Sequence, residues 1–338
     1  MRKIRTYHEV EEEVGGEVPE QVVAQRRRLA RRLESVRHLV VVASGKGGVG
    51  KSAVTANLAA AAARRGLRVG ALDADLNGPS LARMLGVAGR SLGDSDEGLV
   101  PPVGSEGVKV MSMELLQAEE DTPLRWKGPD GDGYLWRGLV EAGVLREFIA
   151  DVTWGELDLL LVDLPPGTDR IHRLLDIVPD LDRILLVTTP ARMSRMVVSR
   201  SLRLVQEDRP DSVGLVANMT EFICPDCGSA TPLFPGGGDE ELAAAHDLDL
   251  WARIPFDPVL GESTDQGRPV VTTHPDSVSA KALAPLVDRL LEELGLGPGS
   301  TGGRRSKSDG APAPQGSRAP GSAPTSVDET TRDEGGGP

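Results

Sequence analysis

The sequence predicts an α/β protein, a mostly parallel sheet with helices on both faces. Two observations carry that expectation. Short β-branched runs alternate with stretches of helical pattern, and the runs are apolar at nearly every position, as strands covered on both faces are. The clearest strands are "LVVVAS" (Leu39 to Ser44), "RVGALDA" (Arg68 to Ala74), "LDLLLVDL" (Leu157 to Leu164), "RILLVTT" (Arg183 to Thr189) and "SVGLVAN" (Ser212 to Asn218). Between them, stretches such as Ser52 to Arg65 and Ser194 to Glu207 read as amphipathic helices. Ligands bind such sheets beyond the carboxyl ends of the strands, so motifs at those ends mark the candidate site.

The flanks differ from this body. "PEQVVAQRRRLARRLESVRH", Pro19 to His38, has helix propensity and an arginine cluster, and reads either as a solvated helix beside the sheet or as a basic docking element. Residues 1–38 are therefore expected to form a basic helical extension, residues 39–297 the folded domain, and residues 298–338 a disordered tail. That tail is Gly, Pro, Ser and Thr with almost no large apolar residue, and cannot offset its ordering entropy. The body between carries 24 basic and 39 acidic residues, a net charge of −15 that repels phosphate backbones and anionic lipid. Neither nucleic acid nor a membrane surface is the expected partner. No apolar run reaches the roughly 18 residues of a spanning helix, and the N-terminus has no apolar signal-type stretch, so a cytoplasmic protein is expected.

After the first strand stands "SGKGGVGKS", Ser44 to Ser52, which satisfies G-x-x-x-x-G-K-[ST] in its required strand-to-helix context. Gly45, Gly47, Gly48, Val49 and Gly50 form a loop whose backbone N–H groups can point at phosphate oxygens, and the helix N-terminus that follows, through Ala53, adds partial positive charge. Lys51 is placed to reach the β and γ phosphates of ATP and Ser52 to ligate Mg²⁺. "LDADLNGPS" puts Asp73 and Asp75 at the end of the second strand, and "LLLVDLPPGTD" ends an apolar strand with Asp163. A carboxylate at such a tip beside phosphate suits Mg²⁺ held through water, the role expected of Asp163. Strand-end aspartates also serve as helix caps or turn formers, which is the plain alternative for Asp73. Asn218 ends the fifth strand, where its amide matches the donor and acceptor edge of a purine, and Pro255 of "IPFDP" is expected on the other side of the base.

Lys46, at the start of "KGGVGKS", resembles the deviant Walker A lysine of the family containing the nitrogenase iron protein, the septum-site and partition ATPases and the Mrp-type proteins. In that family this lysine crosses a dimer interface to the partner's nucleotide, so the resemblance implies an ATP-dependent homodimer. The family pattern also gives Asp75 the attacking water, Asp73 support of the Mg²⁺ shell, and Gly167 an N–H toward the γ-phosphate. More narrowly, "SGKGGVGKS", "LDADLNGPS", "WRG", "WGELDLLLVDLPPGTD", "ANMTEFICPDCG", "IPFDP" and "TDQGRP" occur in the order seen in Mrp/ApbC-type iron–sulfur cluster carrier ATPases. The chain departs from that pattern at Ala53, where Thr is usual, in "PPGTDR", which lacks a Gly before the Asp, and in "WRGL" in place of W-R-G-P. These departures imply slow or absent ATPase turnover.

The only two cysteines, Cys224 and Cys227, share one loop. A 4Fe-4S cluster needs four thiolates and one chain offers two. With the homodimer that the resemblance implies, the two loops meeting on a two-fold axis supply four, so a bridging cluster delivered to apo-proteins is the expected cargo. A bridging Zn²⁺ in the same four-thiolate site and a reversible disulfide are the competing readings. Two other functions compete on this fold: a spatial-positioning ATPase switch of the partition kind, and an ATP-dependent ligase or amidase.

Overall fold

The computed structural model describes residues 27–76, 78–116, 145–167, 169–178, 181–191, 199, 202, 213–234 and 238–297. The predicted tail, the "WRG" motif, Thr168, and most of the helix expected over Ser194 to Glu207 lie outside them; Ser199 and Leu202 of that helix are helical.

The sheet has eight strands in the order β10-β8-β7-β1-β6-β2-β5, with β9 paired to β8. Its strands are β1 (Val36–Ala43), β2 (Val69–Asp73), β5 (Lys109–Met111), β6 (Leu157–Asp163), β7 (Arg183–Thr188), β8 (Val213–Ile223), β9 (Ala230–Pro232) and β10 (Leu250–Phe256). All pairs but β8–β9 are parallel. A small antiparallel pair, β3 (Gly93–Ser95) and β4 (Gly98–Val100), stands apart. Side chains of β1 alternate between two cores: Leu39, Val41 and Ala43 enter one, Val40 and Val42 the other. Those of β6 divide likewise, Leu160 and Val162 against Leu159 and Leu161. Burial on both faces is why these strands read as continuous apolar runs.

In the order of the chain, the helices are α1 (residues 27–34), α2 (Lys51–Arg64), α3 (Leu81–Met84), α4 (residues 145–151), α5 (Asp169–Ile177), α6 (Gly238–Ala245), α7 (Pro258–Asp265), α8 (Val270–Thr273) and α9 (Val278–Glu293). Although α2 reads as amphipathic, every residue from Ala53 to Ala62 is buried. Its run of alanines combines high helix propensity with side chains small enough for close packing on all sides.

At the N-terminal side the helix is shorter than the sequence suggests. It ends at residue 34, and Val36, Arg37 and His38 belong to β1, where Val36 pairs with Leu157. Of the two readings of the arginine cluster, packing beside the domain accounts for what is described. Leu29 is buried in the core, Arg28 pairs with Asp151 at 2.9 Å, and Arg32 donates to the carbonyls of Ala150 (3.1 Å) and Glu97.

Candidate functional site

The central strand β1 delivers the chain into the glycine loop. Gly48 and Gly50 have φ of 76° and 81°, in the left-handed region. Gly50 is also tightly enclosed, since a Cβ there would sit 2.2 Å from Asn218 Nδ2. Only glycine satisfies both demands. Val49 is buried, and its carbonyl accepts a hydrogen bond from Asn218 Nδ2 at 2.9 Å. Ser44 Oγ donates to the Lys46 carbonyl at 3.0 Å, and Lys46 itself is half-buried. The loop opens directly into α2, whose first N–H groups have no intrahelical acceptor and so favour an anion.

Three side chains of α2 converge on one carboxylate. Asp163, fully buried at the tip of β6, accepts from Lys51 Nζ and from Ser52 Oγ at Oδ2, each at 2.6 Å. Its other oxygen, Oδ1, accepts from Thr55 Oγ1 at 2.7 Å. A hydroxyl and a carboxylate oxygen side by side beneath a glycine cradle form the hard-oxygen donor set that Mg²⁺ takes beside phosphates, so the residues present fit the ion. Thr55 escaped the sequence reading. The signal that pointed to it is its spacing, four residues after Lys51 and hence on the same helix face.

The second-strand aspartates divide their work. Asp73 lies beside Asp163 in the parallel register. Its Oδ2 accepts the backbone N–H groups of Ser80 (2.8 Å) and Leu81 (2.9 Å), and its Oδ1 that of Asp75 (3.1 Å). It therefore organises the "DLNGPS" turn and anchors the start of α3, the contacts of a turn former. Burial, and then the neighbouring Asp163 charge, push its carboxyl up to about 7, against the pull of those N–H groups. Asp75 is half-buried and accepts from Gly78 N at 3.1 Å.

Two expected nucleotide contacts face the glycine loop instead. The N–H of Gly167 donates to the Ser44 carbonyl at 3.0 Å. Asn218, buried beside the left-handed Met219 (φ 55°), has its amide nitrogen on the Val49 carbonyl. Pro255 follows Ile254, which is in register with Asn218. The next motif residue but one, Asp257, caps α7 through Val259 N (3.0 Å) and holds the start of α9 through Ser279 Oγ (2.6 Å).

The thiol loop lies at the far end of β8. That strand continues past Asn218 to Ile223, pairing there with the exposed β9 and turning through Cys224 to Cys227. The turn is closed by Gly228 N on the Cys224 carbonyl (2.9 Å) and Cys224 N on the Ser229 carbonyl (3.0 Å). Cys224 is half-buried and Cys227 exposed, with its Sγ 3.0 Å from Ser229 Oγ. Hydrogen bonds from the Ser229 hydroxyl, then the Ser229 N–H and Cys224, hold the Cys227 thiol below its ordinary range. Among the described residues no group of three or more His, Cys, Asp or Glu is placed to hold a metal ion, so the pair has no third ligand there.

A phosphate cradle at the central strand, on a parallel sheet with this order, places the chain in the class of P-loop NTPases. The family model described as "ParA: NUBPL iron-transfer P-loop NTPase" matches residues 35–291, and the chain belongs to that family. It is 36% identical to an iron-sulfur cluster carrier protein of Saccharolobus solfataricus, over 81% of this chain and 90% of the relative. It is 38% identical to the cytosolic Fe-S cluster assembly factor NUBP2 of Bos taurus, over 78% and 96%. A solved structure, the nucleotide-binding protein of Archaeoglobus fulgidus in complex with ADP and with Co found, superposes with a TM-score of 0.61 at 37% identity, covering 72% of this chain and 91% of that one. Among the described residues no helix is long and apolar enough to cross a membrane.

Proposed function

We propose that the protein is a cytoplasmic ATP-hydrolysing homodimer that carries a 4Fe-4S cluster between Cys224 and Cys227 of two subunits and delivers it to apo-proteins. The observation that supports this most is the coexistence, in a family of iron-transfer NTPases, of a complete phosphate cradle with a thiol pair that lacks further ligands. A second copy of the same loop supplies the missing thiolates through two-fold symmetry.

In this reading the glycine loop and the α2 N-terminus bind the phosphate chain of ATP, Lys51 leaves Asp163 for the β and γ phosphates, and Ser52 and Asp163 hold Mg²⁺, Asp163 through water. Mg²⁺ supplies neutralisation of charge on the transferring phosphoryl group. Asp75 orients the attacking water, Lys46 reaches the partner's nucleotide, and Gly167 turns its N–H from Ser44 to the γ-phosphate. That last movement displaces "PPG" from the loop and is the step by which nucleotide state reaches the subunit contact, and through it the thiols.

The test is anaerobic reconstitution with iron and sulfide. The parent should take up about four irons per two chains with a visible charge-transfer absorbance. Cys224→Ala should take up none. Equal iron in the variant, or zinc retained by the parent in preference to iron, overturns the cluster reading.

A further inference from the structure

We infer that Thr55 is a positioning residue for the magnesium site: it fixes Asp163 by one oxygen so that the other faces the metal. The inference rests on the ATP and Mg²⁺ reading above. Lys51 and Ser52 both bind Asp163 at Oδ2, and both are the groups that nucleotide and metal draw away. Thr55 binds the opposite oxygen, Oδ1, at 2.7 Å. It is fully buried one turn into α2. When Lys51 and Ser52 leave, the Thr55 bond remains to hold the plane of the carboxylate.

The hydroxyl has one proton and two acceptors in reach, Asp163 Oδ1 at 2.7 Å and the Lys51 carbonyl at 3.0 Å. The shorter, charged acceptor takes it. The Lys51 carbonyl alone would make Thr55 an ordinary back-bonding helix residue, whose loss changes stability without touching metal affinity. Burial sharpens the need for this bond. Asp163 is wholly excluded from solvent, so an oxygen deprived of Thr55 has no water to replace it. A carboxylate free to rotate presents Oδ2 to the metal only part of the time.

The experiment measures binding of ATP to the full chain by titration, once with excess Mg²⁺ and once with EDTA, for the parent, Thr55→Val and Thr55→Ser. Valine keeps the shape and removes the hydroxyl; serine keeps the hydroxyl. In the parent Mg²⁺ tightens ATP binding. In Thr55→Val that gain should shrink by about tenfold, the usual scale for loss of an outer partner of a metal ligand, while affinity in EDTA stays within about twofold. Thr55→Ser should restore the gain. An undiminished gain in Thr55→Val overturns the inference, and so does an equal loss with and without Mg²⁺ that serine does not repair. If Thr55→Val does not melt cooperatively, Thr55→Cys, a far weaker donor, is read by the same two criteria. A parent that binds no ATP under either condition sinks the nucleotide reading instead, which separates the two failures.

Discussion

The glycine loop and the thiol loop both follow strands of one sheet, yet they are built in opposite ways. Around the first, one chain brings several groups together: Lys51, Ser52 and Thr55 reach a single buried carboxylate, and Asn218 props the loop from β8, two strands away across β7. Around the second, the turn closes on its own backbone and on Ser229, with Cys224 half-buried, Cys227 exposed and no third ligand among the described residues. A site that must bind a small anion and reset gains from fixed dipoles in a buried cradle. One that, on the proposed function, surrenders a cluster gains from exposure and from ligands that a second subunit completes.

The same substitution made in both loops is the harshest test of that contrast. Gly50 and Gly228 are both left-handed, at φ 81° and 72°, so alanine at either costs about 1–2 kcal/mol of backbone strain. Beyond that they differ. A Cβ at Gly50 meets Asn218 Nδ2 at 2.2 Å, whereas one at Gly228 meets nothing within 4 Å. Gly50→Ala must also push a buried amide off the Val49 carbonyl, and should lose about 3 kcal/mol or more in denaturant unfolding, together with ATP affinity. Gly228→Ala should show the strain alone. Similar losses in the two variants would mean that the glycine loop is no more constrained than the thiol loop.

A smaller effect separates the regions by pH. In the folded protein Asp73 titrates at about 7 instead of 3.8, so the fold favours its protonated form. The sign follows: its contribution to stability is complete below about pH 4 and is lost as pH rises through about 7. With EDTA present, the melting temperature of the parent should fall between about pH 5 and pH 8, and Asp73→Asn should flatten that fall. Gly228→Ala, at the other loop, removes no titratable group and should leave the slope unchanged. A parent whose metal-free stability rises over this range would show that burial and the neighbouring Asp163 charge do not raise the Asp73 carboxyl.

The sequence made the sheet centre and the phosphate cradle legible because both rest on local rules: apolar runs for strands buried on two faces, and glycines where the backbone must turn left-handed. It was less informative where a residue acts across the sheet. Asp73 left two readings open, metal-shell support and turn former, and its contacts with Ser80 and Leu81 are those of the second. Asn218, expected at a purine edge, also has its amide nitrogen on the Val49 carbonyl, a contact across the sheet that no local rule announces. The extension of β8 to Ile223 was missed because "MTEFI" is half polar. It pairs with the exposed β9 instead of with β7, which stops at Thr188 opposite Ala217. Thr55 was passed over for a simpler reason: its spacing from Lys51 sets it on the same helix face, but its acceptor is 108 residues away and only the fold brings the two together.

Ser229 is the thiol loop's counterpart of Thr55, and it gives the mildest test. Both hydroxyls bind a group that the proposed function needs charged, Asp163 in one case and the Cys227 thiolate in the other. Thr55 is buried, whereas Ser229 is exposed and competes with water, so its removal should be felt far less. In the metal-free protein, Ser229→Ala should raise the Cys227 thiol toward its ordinary value and slow its alkylation at neutral pH. The slowing should be roughly two- to threefold, the low end for a hydrogen bond in open solvent. Cys224→Ser as background isolates Cys227 as the reacting thiol. An alkylation rate unchanged in Ser229→Ala would assign the lowered thiol to the turn's backbone N–H groups, and would leave the thiol loop with no side chain that tunes it.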